Sequence, residues 1–254
     1  MAAESRAAVG IIGGSSYSDG WLEKASSEAF FGETPYGLPS SPVREAEISG
    51  RRVLLLLRHG LGHRFPPHAV PYAANLWALK KAGAEAVIGL ATVGGIDEAL
   101  PPGALCVPDD LVDRTWGRES TIYSSAKTGV RHVDFTRPFD EELRRRLILA
   151  CRRARVSRLL EGGVYWCSQG PRLETAAEIR VIRALGGAMV GMTAATEAAV
   201  ARELDVPYAL LALCVNWAAG LHSSSDKVSL EVCGGENGCS SEDIRCVLEQ
   251  FLAL

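Results

Sequence analysis

The sequence lacks the long apolar segments, the excess of one charge and the paired cysteines that indicate several large classes of protein. No apolar run approaches the roughly 18 residues of a membrane-spanning helix, and the first 16 residues lack the apolar stretch of a secretory signal. The 27 lysines and arginines against 30 acidic residues give a net charge of −3. The one basic cluster, Arg144–Arg146 with Arg152, Arg153 and Arg155, lies on an amphipathic pattern and is predicted to be a solvated helix face. Because nucleic-acid-binding proteins carry a basic stripe, we expect neither a membrane nor a nucleic acid as partner.

The seven cysteines are odd in number and show no paired spacing that would indicate a metal site. Cys106, Cys167 and Cys214 lie within apolar, strand-like runs, where a free cysteine behaves as a small hydrophobic residue. A disulfide framework is therefore not expected. We predict a reducing compartment, the cytoplasm, and no bound metal.

Short apolar runs alternate with amphipathic segments along the 254 residues, 47% of which are hydrophobic. This alternation is typical of an α/β domain. No repeat and no Pro-, Gly- or Ser-rich linker divides the chain, so we predict one domain over residues 1–254. Residues 221–240, rich in Ser, Gly and Cys, are predicted to form an irregular loop before a C-terminal helix within 241–254.

The apolar runs predict strands, and the segments with helical periodicity predict helices. The strands are expected at Val9–Ile12, Val53–Leu57, Ala86–Leu90, Ala104–Val107, Gly163–Cys167, Ala188–Gly191 and Tyr208–Val215. The helices are expected at Tyr72–Ala82, Asp140–Arg153, Thr175–Ala184, Ala194–Leu204 and Ser241–Leu252.

Polar residues stand directly after five of the predicted strands. Ligands of open α/β sheets bind in the crevice outside the carboxyl ends of the strands, so we expect these polar residues to line one site. They are Ser15 after Gly13-Gly14, the pair Arg58-His59, Thr92, Thr193 after Met192, and Asn216.

Each of these features has a plain structural explanation beside the functional one. The turn at Gly13–Ser16 suits an anion but equally suits a tight turn without ligand. The fork of Arg58 suits bidentate phosphate binding, or a surface salt bridge. The Thr193 hydroxyl can bind an anion or cap the following helix. Glu174 can complement a helix dipole, and Asn216 can form a turn or present a donor and an acceptor to a ligand.

The order of these motifs resembles the nucleoside phosphorylase family of trimeric purine nucleoside and methylthioadenosine phosphorylases. The similar segments cover nearly the whole chain to about residue 220 and include GIIGGSS (10–16), LRHGLGHRFPPH (57–68), ATVGGIDEALPPG (91–103), QGPRLETAAEIR (169–180) and VGMTAATEAAVARELDVPYALLALCVNWAAG (190–220). Within the family, RHG-x-x-HRFPPH, VGGID and VNWAAG are most similar to the S-methyl-5′-thioinosine phosphorylase branch. A dinucleotide-binding oxidoreductase is disfavoured, because the full glycine fingerprint and its acidic partner are missing.

The resemblance implies a single domain with a central twisted mixed β-sheet flanked by helices, assembled as a homotrimer. It implies phosphorolysis of a 6-oxopurine nucleoside, S-methyl-5′-thioinosine, to hypoxanthine and methylthioribose 1-phosphate in purine salvage. Inorganic phosphate is the co-substrate, and no metal or organic cofactor is implied. The alternatives are a methylthioadenosine phosphorylase, a general inosine or guanosine phosphorylase, and an inactive homologue that serves as a binding protein.

The resemblance also implies roles for individual residues. The phosphate site comprises Ser15, Arg58, His59, Thr193 and the backbone around Thr92, and the residues expected to serve catalysis are Arg58, His59 and Asn216. The residues expected around the nucleoside are Met192 under the ribose, Leu173 beside the base, Glu174 and Asn216 at the purine edge, Trp217 and Ala218 in the same pocket, and His132 of a neighbouring subunit at the 5′ end. Val228 is a candidate for a methylthio pocket at that end.

Overall fold

The computed structural model describes residues 8–14, 27–124, 128–222, 227–228 and 241–254. Within them the strands are β1 Ala8–Gly13, β2 Ser27–Phe30, β3 Val43–Ile48, β4 Arg51–Leu57, β5 Ala84–Gly95, β6 Leu105–Cys106, β7 Asp110–Asp113, β8 Leu159–Leu160, β9 Val164–Cys167, β10 Gly187–Gly191 and β11 Tyr208–Trp217. The helices are α1 Tyr72–Lys81, α2 Glu141–Arg153, α3 Ala176–Ala184, α4 Ala194–Glu203 and α5 Ser241–Leu252. Short 3-10 turns lie at Leu61–His63 and Pro67–Ala69.

The strands form one mixed sheet that branches at β5. Along the main path the order is β2-β3-β4-β1-β5-β10-β9-β7, and β11 pairs with β5 on a branch that continues to β6 and β8. Strands β4, β1, β5 and β11 are mutually parallel neighbours, so their carboxyl ends emerge at the same edge. The predicted α/β class with a central mixed sheet flanked by helices is confirmed.

The apolar run of β4 shows why the central strands are continuously hydrophobic. Leu54 and Leu56 belong to one buried cluster, and Val53 and Leu55 belong to the cluster on the opposite face. Successive side chains of a strand point to opposite faces, so a strand covered on both sides needs apolar residues at every position. Side chains of α1 and α4 complete the first cluster, and side chains of α2 and α5 complete the second.

The end of β5 is where the sheet branches. Gly94 and Gly95 pair with β10 in the antiparallel direction and also with the end of β11. A Cβ at Gly95 would lie 2.2 Å from the carbonyl oxygen of Leu100, so a side chain cannot be accommodated there. The branching therefore brings the ends of β5, β10 and β11 together.

The Arg144–Arg146 run differs from its sequence-based interpretation as a solvated helix face. Arg144 is buried, and its guanidinium donates to the carbonyl oxygens of Pro108, Val107 and Glu161. Arg144 therefore ties α2 to the ends of β6 and β8, whereas Arg145 is exposed and pairs with Glu142.

Residues 221–240 lie for the most part outside the described residues, and the single domain over 1–254 stays a prediction. In the described part of the chain, no helix combines the length and hydropathy needed to cross a membrane.

Candidate active site

A cavity of about 350 Å³ opens at the sheet edge where the parallel strands end. Its lining includes Arg58, His59, Thr92 and Thr193, which are predicted as phosphate ligands and are called the anion side below. It also includes Leu173, Glu174, Met192, Asn216, Ala218 and Val228, which are predicted around the nucleoside and are called the base side. The structure thus brings together ten of the predicted residues from six separate segments.

Two predicted residues do not line the cavity, and a third, Ser15, is outside the described residues. Trp217 does not line the cavity, because its indole packs on the ring of His222 with 4.2 Å between centroids. His132 is exposed on the surface of the single chain and does not line the cavity. Its expected role involves a neighbouring subunit and stays a prediction.

Arg58 is 1% exposed, and its hydrogen bonds determine what it can offer a ligand. Nε and Nη2 both donate to the carboxylate of Glu197, and Nη1 donates to the carbonyl oxygen of Leu90 at 2.9 Å. The fork edge of the guanidinium, formed by Nε and Nη2, was expected to bind phosphate in bidentate fashion. Glu197 occupies this edge instead. The alternative of a surface salt bridge is also wrong, because the ion pair is buried.

Glu197 is the buried partner of Arg58, and the sequence alone did not identify it. The residue is fully buried, and its carboxylate also accepts a hydrogen bond of 2.8 Å from the hydroxyl of Tyr208. Burial alone would lower the pKa of Arg58, but the charge and hydrogen bonds of Glu197 raise it above its ordinary value. A signal was present, because Glu197 is the single charged residue in Ala-Ala-Thr-Glu-Ala-Ala-Val-Ala at the start of α4. A carboxylate on a buried helix face requires a partner.

His59 is neutral and its tautomer follows from one hydrogen bond. Nδ1 lies 2.7 Å from the carbonyl oxygen of Phe65, and a carbonyl only accepts, so Nδ1 carries the proton. Burial lowers the pKa of His59 to about 4, the bond to Phe65 opposes this decrease, and the charge of Arg58 adds to it. Nε2 is therefore a hydrogen-bond acceptor, with the ring stacked on His63 at 4.3 Å between centroids.

Thr193 occupies the N-cap position of α4, but its side chain makes no capping hydrogen bond. Its backbone N–H instead lies 3.2 Å from the hydroxyl of Tyr165, which acts as acceptor. Of the two roles open to the Thr193 hydroxyl, capping is thus not used. The hydroxyl remains for the cavity that Thr193 lines.

Glu174 lies before α3 rather than in its first turn. Thr175 is the N-cap, and Glu178 completes a capping box with it, so the helix-terminus role belongs to Glu178. The carboxylate of Glu174 accepts a hydrogen bond from the Ser168 hydroxyl through Oε1. This bond holds the Glu174 carboxylate at the cavity, and Ser168 is a second residue that the sequence analysis missed.

Asn216 lies at a bulge near the end of β11. The pairing register with β5 shifts between Cys214 and Asn216, and bulges re-aim side chains next to binding sites. Nδ2 donates to the carbonyl oxygen of Trp217 at 2.7 Å. Because an amide nitrogen carries two hydrogens, a second N–H and the Oδ1 acceptor remain for a ligand.

Met192 packs against the loop that carries Glu174. Gly170 in this loop has φ +64°, in the left-handed region that favours glycine. A Cβ at Gly170 would also meet the Met192 sulfur at 2.4 Å. Arg118 joins the same two segments by donating to the carbonyl oxygens of Met192 and Gln169 at 2.8 and 2.7 Å. These contacts fix the position of the loop against the end of β10.

The branched mixed sheet and the polar cavity at its carboxyl edge define a member of the Phosphorylase superfamily, to which this chain belongs. The sequence profile of that superfamily matches residues 8–234. The predicted resemblance to nucleoside phosphorylases is therefore confirmed. Among the described residues, no group of three or more His, Cys, Asp or Glu side chains is placed to hold a metal ion.

The chain is similar to several named proteins. It is 51% identical over 187 residues, 74% of this chain and 76% of the relative, to a "Probable S-methyl-5′-thioinosine phosphorylase" of Pseudomonas syringae. It is 40% identical over 218 residues, 84% of this chain and 80% of the relative, to the "6-oxopurine nucleoside phosphorylase" of Pyrococcus furiosus. Its fold is similar to methylthioadenosine phosphorylase from Schistosoma mansoni in complex with adenine, with a TM-score of 0.90, 31% identity, and 98% of this chain and 91% of that chain covered.

Proposed function

We propose that this protein catalyses the phosphorolysis of a 6-oxopurine nucleoside, S-methyl-5′-thioinosine, to hypoxanthine and methylthioribose 1-phosphate. The observation that carries the proposal is that Glu174 and Asn216 line the same cavity as Arg58, His59 and Thr193. The names of the relatives support the same class of substrate.

The reaction requires a phosphate oxygen to bond to C1′ of the ribose while the C1′–N9 bond breaks. The electrons of that bond move into the purine ring, and the proton that hydrogen phosphate gives up is taken up by the leaving base. The ribose passes through a state with positive character, which the phosphate anion beneath it stabilises electrostatically. Atoms and charge balance without metal or redox chemistry.

The anion side supplies donors and one acceptor to hydrogen phosphate. We assign the donors to Nη1 of Arg58, the hydroxyl of Thr193 and the backbone around Thr92, with Ser15 as a further predicted ligand. His59 supplies an acceptor, because its Nδ1 proton is bound to Phe65. It therefore accepts from the O–H of hydrogen phosphate or from a ribose hydroxyl.

The base side favours a 6-oxopurine over adenine. A hypoxanthine ring presents N1–H, which the carboxylate of Glu174 accepts, and O6, which the free N–H of Asn216 can bind. Asn216 Oδ1 can accept from N7 once N7 is protonated. Adenine presents a bare N1 lone pair, which a carboxylate repels, and a site built on hydrogen bonds rejects such an analogue by about 10⁴-fold.

Methylthioadenosine phosphorolysis is the second candidate, favoured by the fold similarity to the methylthioadenosine phosphorylase bound to adenine. Glu174 argues against it for the reason just given. An inosine or guanosine phosphorylase differs at the 5′ group, where Val228 lines the cavity. We assign Val228 of one subunit and His132 of a neighbouring subunit to a pocket for the 5′ methylthio group.

We further propose a cytoplasmic homotrimer. A closed trimer of 27.1 kDa chains has a mass of about 81 kDa, which light scattering measures. A fully active monomer at assay concentration would contradict a site shared between subunits.

The direct test is to incubate the protein with S-methyl-5′-thioinosine with and without inorganic phosphate and to identify both products. We expect hypoxanthine and methylthioribose 1-phosphate in equal amounts, and no cleavage without phosphate. Cleavage that is independent of phosphate would indicate a hydrolase, and no cleavage of any purine nucleoside would indicate the inactive homologue. Inosine and methylthioadenosine in the same assay decide the 5′ group and the base.

A further inference from the structure

Arg58 and Glu197 form the most deeply buried ion pair of the described residues. Their side chains are 2% and 1% exposed, whereas each other ion pair has at least one side chain that is 34% exposed or more. A buried ion pair is weak evidence for stability, because removing both charges from water costs about as much as their attraction returns. A functional reason for this pair is therefore worth seeking in its geometry.

The pair determines which edge of the guanidinium reaches the cavity. Glu197 receives Nε and Nη2, so the fork edge points towards α4. The remaining nitrogen, Nη1, donates to Leu90 and lies 4.0 Å from the position of a Cβ at Gly14. Leu90 and Gly14 both line the cavity, so Nη1 is on the cavity side. One of its two hydrogens is not needed by Leu90.

Glu197 is itself held from a third element. The hydroxyl of Tyr208, at the start of β11, donates to its Oε2 at 2.8 Å. Gly89, in the middle of β5, makes room for that hydroxyl, because a Cβ at this position would lie 2.0 Å from it. Groups that orient a ligand-binding side chain from rigid elements reduce the freedom of that side chain. Here α4, β5 and β11 together fix one carboxylate.

We propose that Glu197, held by Tyr208, is a positioning residue that orients Arg58 so that Nη1 presents an N–H to phosphate. This inference rests on the proposed phosphorolysis and adds a residue to its phosphate site. It also means that the charge of Arg58 is balanced before phosphate arrives, so that orientation rather than net charge governs the affinity of the site.

The effect on phosphate affinity distinguishes orientation from charge. Replacing Glu197 by Gln removes a negative charge near the anion, which by charge alone would tighten phosphate binding. A Gln side chain, however, has one oxygen and one NH₂ group, so it can accept from only one of Nε and Nη2. Its NH₂ group then faces the other nitrogen, and because two donors cannot bond to each other, the guanidinium must turn. If orientation governs, phosphate binding weakens in spite of the added positive charge.

The experiment measures KM for phosphate and KM for S-methyl-5′-thioinosine separately in Glu197→Gln and Tyr208→Phe. We expect Glu197→Gln to raise KM for phosphate by about tenfold, as for the loss of one charged hydrogen bond, with KM for the nucleoside within about twofold. Tyr208→Phe loses one hydroxyl donor, and we expect about a threefold rise in the same direction.

Glu141→Gln is the matched control. It removes the side-chain partner of Arg144, another buried arginine, at a 3.0 Å ion pair away from the cavity. We expect KM for phosphate to be unchanged in this variant. If the two site variants also keep the wild-type KM for phosphate and lose only thermal stability, the role of Glu197 is structural and the proposal is overturned.

A lower KM for phosphate in Glu197→Gln would equally overturn it, because charge would then outweigh orientation. If Glu197→Gln does not fold, Tyr208→Phe decides by the same criterion. Failure of the proposed function is distinguishable, because the wild type itself would then show no phosphate-dependent cleavage. In that case phosphate binding is measured by the increase in Tm that phosphate causes. A smaller increase in the two variants than in the wild type would support the role of Glu197.

Discussion

The two sides of the cavity differ in how firmly the surrounding structure holds their side chains. On the anion side, Arg58 and Thr193 are buried, and the ends of parallel strands and the start of α4 position them. On the base side, Glu174 and Asn216 are half-buried, and Leu173 is 37% exposed on the loop before α3. Arg58 and Thr193 are thus part of the core, whereas Glu174 and Asn216 lie at its margin.

In the proposed mechanism, the anion side serves the reaction with phosphate, and the base side determines which base is bound. A change on the anion side disturbs buried hydrogen bonds and an ion pair, so it alters stability together with activity. A change on the base side alters groups that are partly solvated, as binding residues on loops commonly are, and it can alter the choice of base at small cost in stability. The predictions below test this division from the largest expected effect to the smallest.

Arg58→Ala should lower kcat/KM by at least about 100-fold, since it removes a charged donor to phosphate and to the charge that develops in the transition state. It also leaves Glu197 buried without its partner, which costs about 3–5 kcal/mol of unfolding free energy. Kinetics and thermal melts measure both losses. Arg145→Ala, at an exposed ion pair, is the control. Near wild-type kinetics in Arg58→Ala would refute the phosphate assignment.

Asn216→Asp should lower kcat/KM for S-methyl-5′-thioinosine by about tenfold or more, because the new carboxylate repels O6. Relative activity on methylthioadenosine should rise, most clearly when Glu174→Gln is added. Melting temperatures should change less than in Arg58→Ala. If neither substitution alters the ratio of the two activities, Glu174 and Asn216 do not recognise the base.

Ser168→Ala should raise KM for the nucleoside by about fivefold, on the scale of one typical hydrogen bond, and leave KM for phosphate unchanged. The reason is that the Ser168 hydroxyl holds the Glu174 carboxylate. Ser168→Thr keeps a hydroxyl and should retain most of the wild-type behaviour. An equal rise in both KM values would place Ser168 outside base recognition.

The smallest effect concerns pH and His59. Its folded-state pKa of about 4 lies below the ordinary value of 6.5, so at acidic pH the unfolded chain binds a proton more readily than the folded one. The stability that neutral His59 contributes is therefore present above about pH 6.5 and is lost as pH falls through about 4. His59→Asn can still donate to Phe65 and does not titrate. The Tm of this variant should fall less than the wild-type Tm between about pH 7 and 5. An identical fall in both proteins would contradict the assignment of this pH dependence to His59.

The sequence was sufficient for the elements that are buried on both faces and for the residues that follow them. Arg58 and Asn216 could be predicted because each is a polar residue directly after an apolar strand, at the sheet edge where ligands of open α/β sheets bind. That Arg58 stays buried there could not be predicted. Of the strands that were missed, β2 and β7 are short, and all of their residues are partly or fully exposed. Their polar residues carry little periodic signal.

The partners of the predicted residues could not be assigned from sequence. Glu197 is 139 positions from Arg58 along the chain, and its burial depends on how α4 packs on the sheet. Arg144 was taken for a solvated residue because helical periodicity does not show that three backbone carbonyls lie within its reach. Ser168 gains its role because the loop brings Glu174 back onto the end of β9.

The most direct test of the account is the ratio of kcat/KM for S-methyl-5′-thioinosine to kcat/KM for methylthioadenosine in the wild-type protein at saturating phosphate. The two substrates share the sugar and differ at the 6 position of the base, so the ratio isolates the contribution of Glu174 and Asn216. We expect the ratio to be about 10⁴ in favour of the oxopurine, on the scale that hydrogen-bonded sites reach against an unmatched analogue. A ratio near one, or a preference for methylthioadenosine, would contradict the assignment of the substrate.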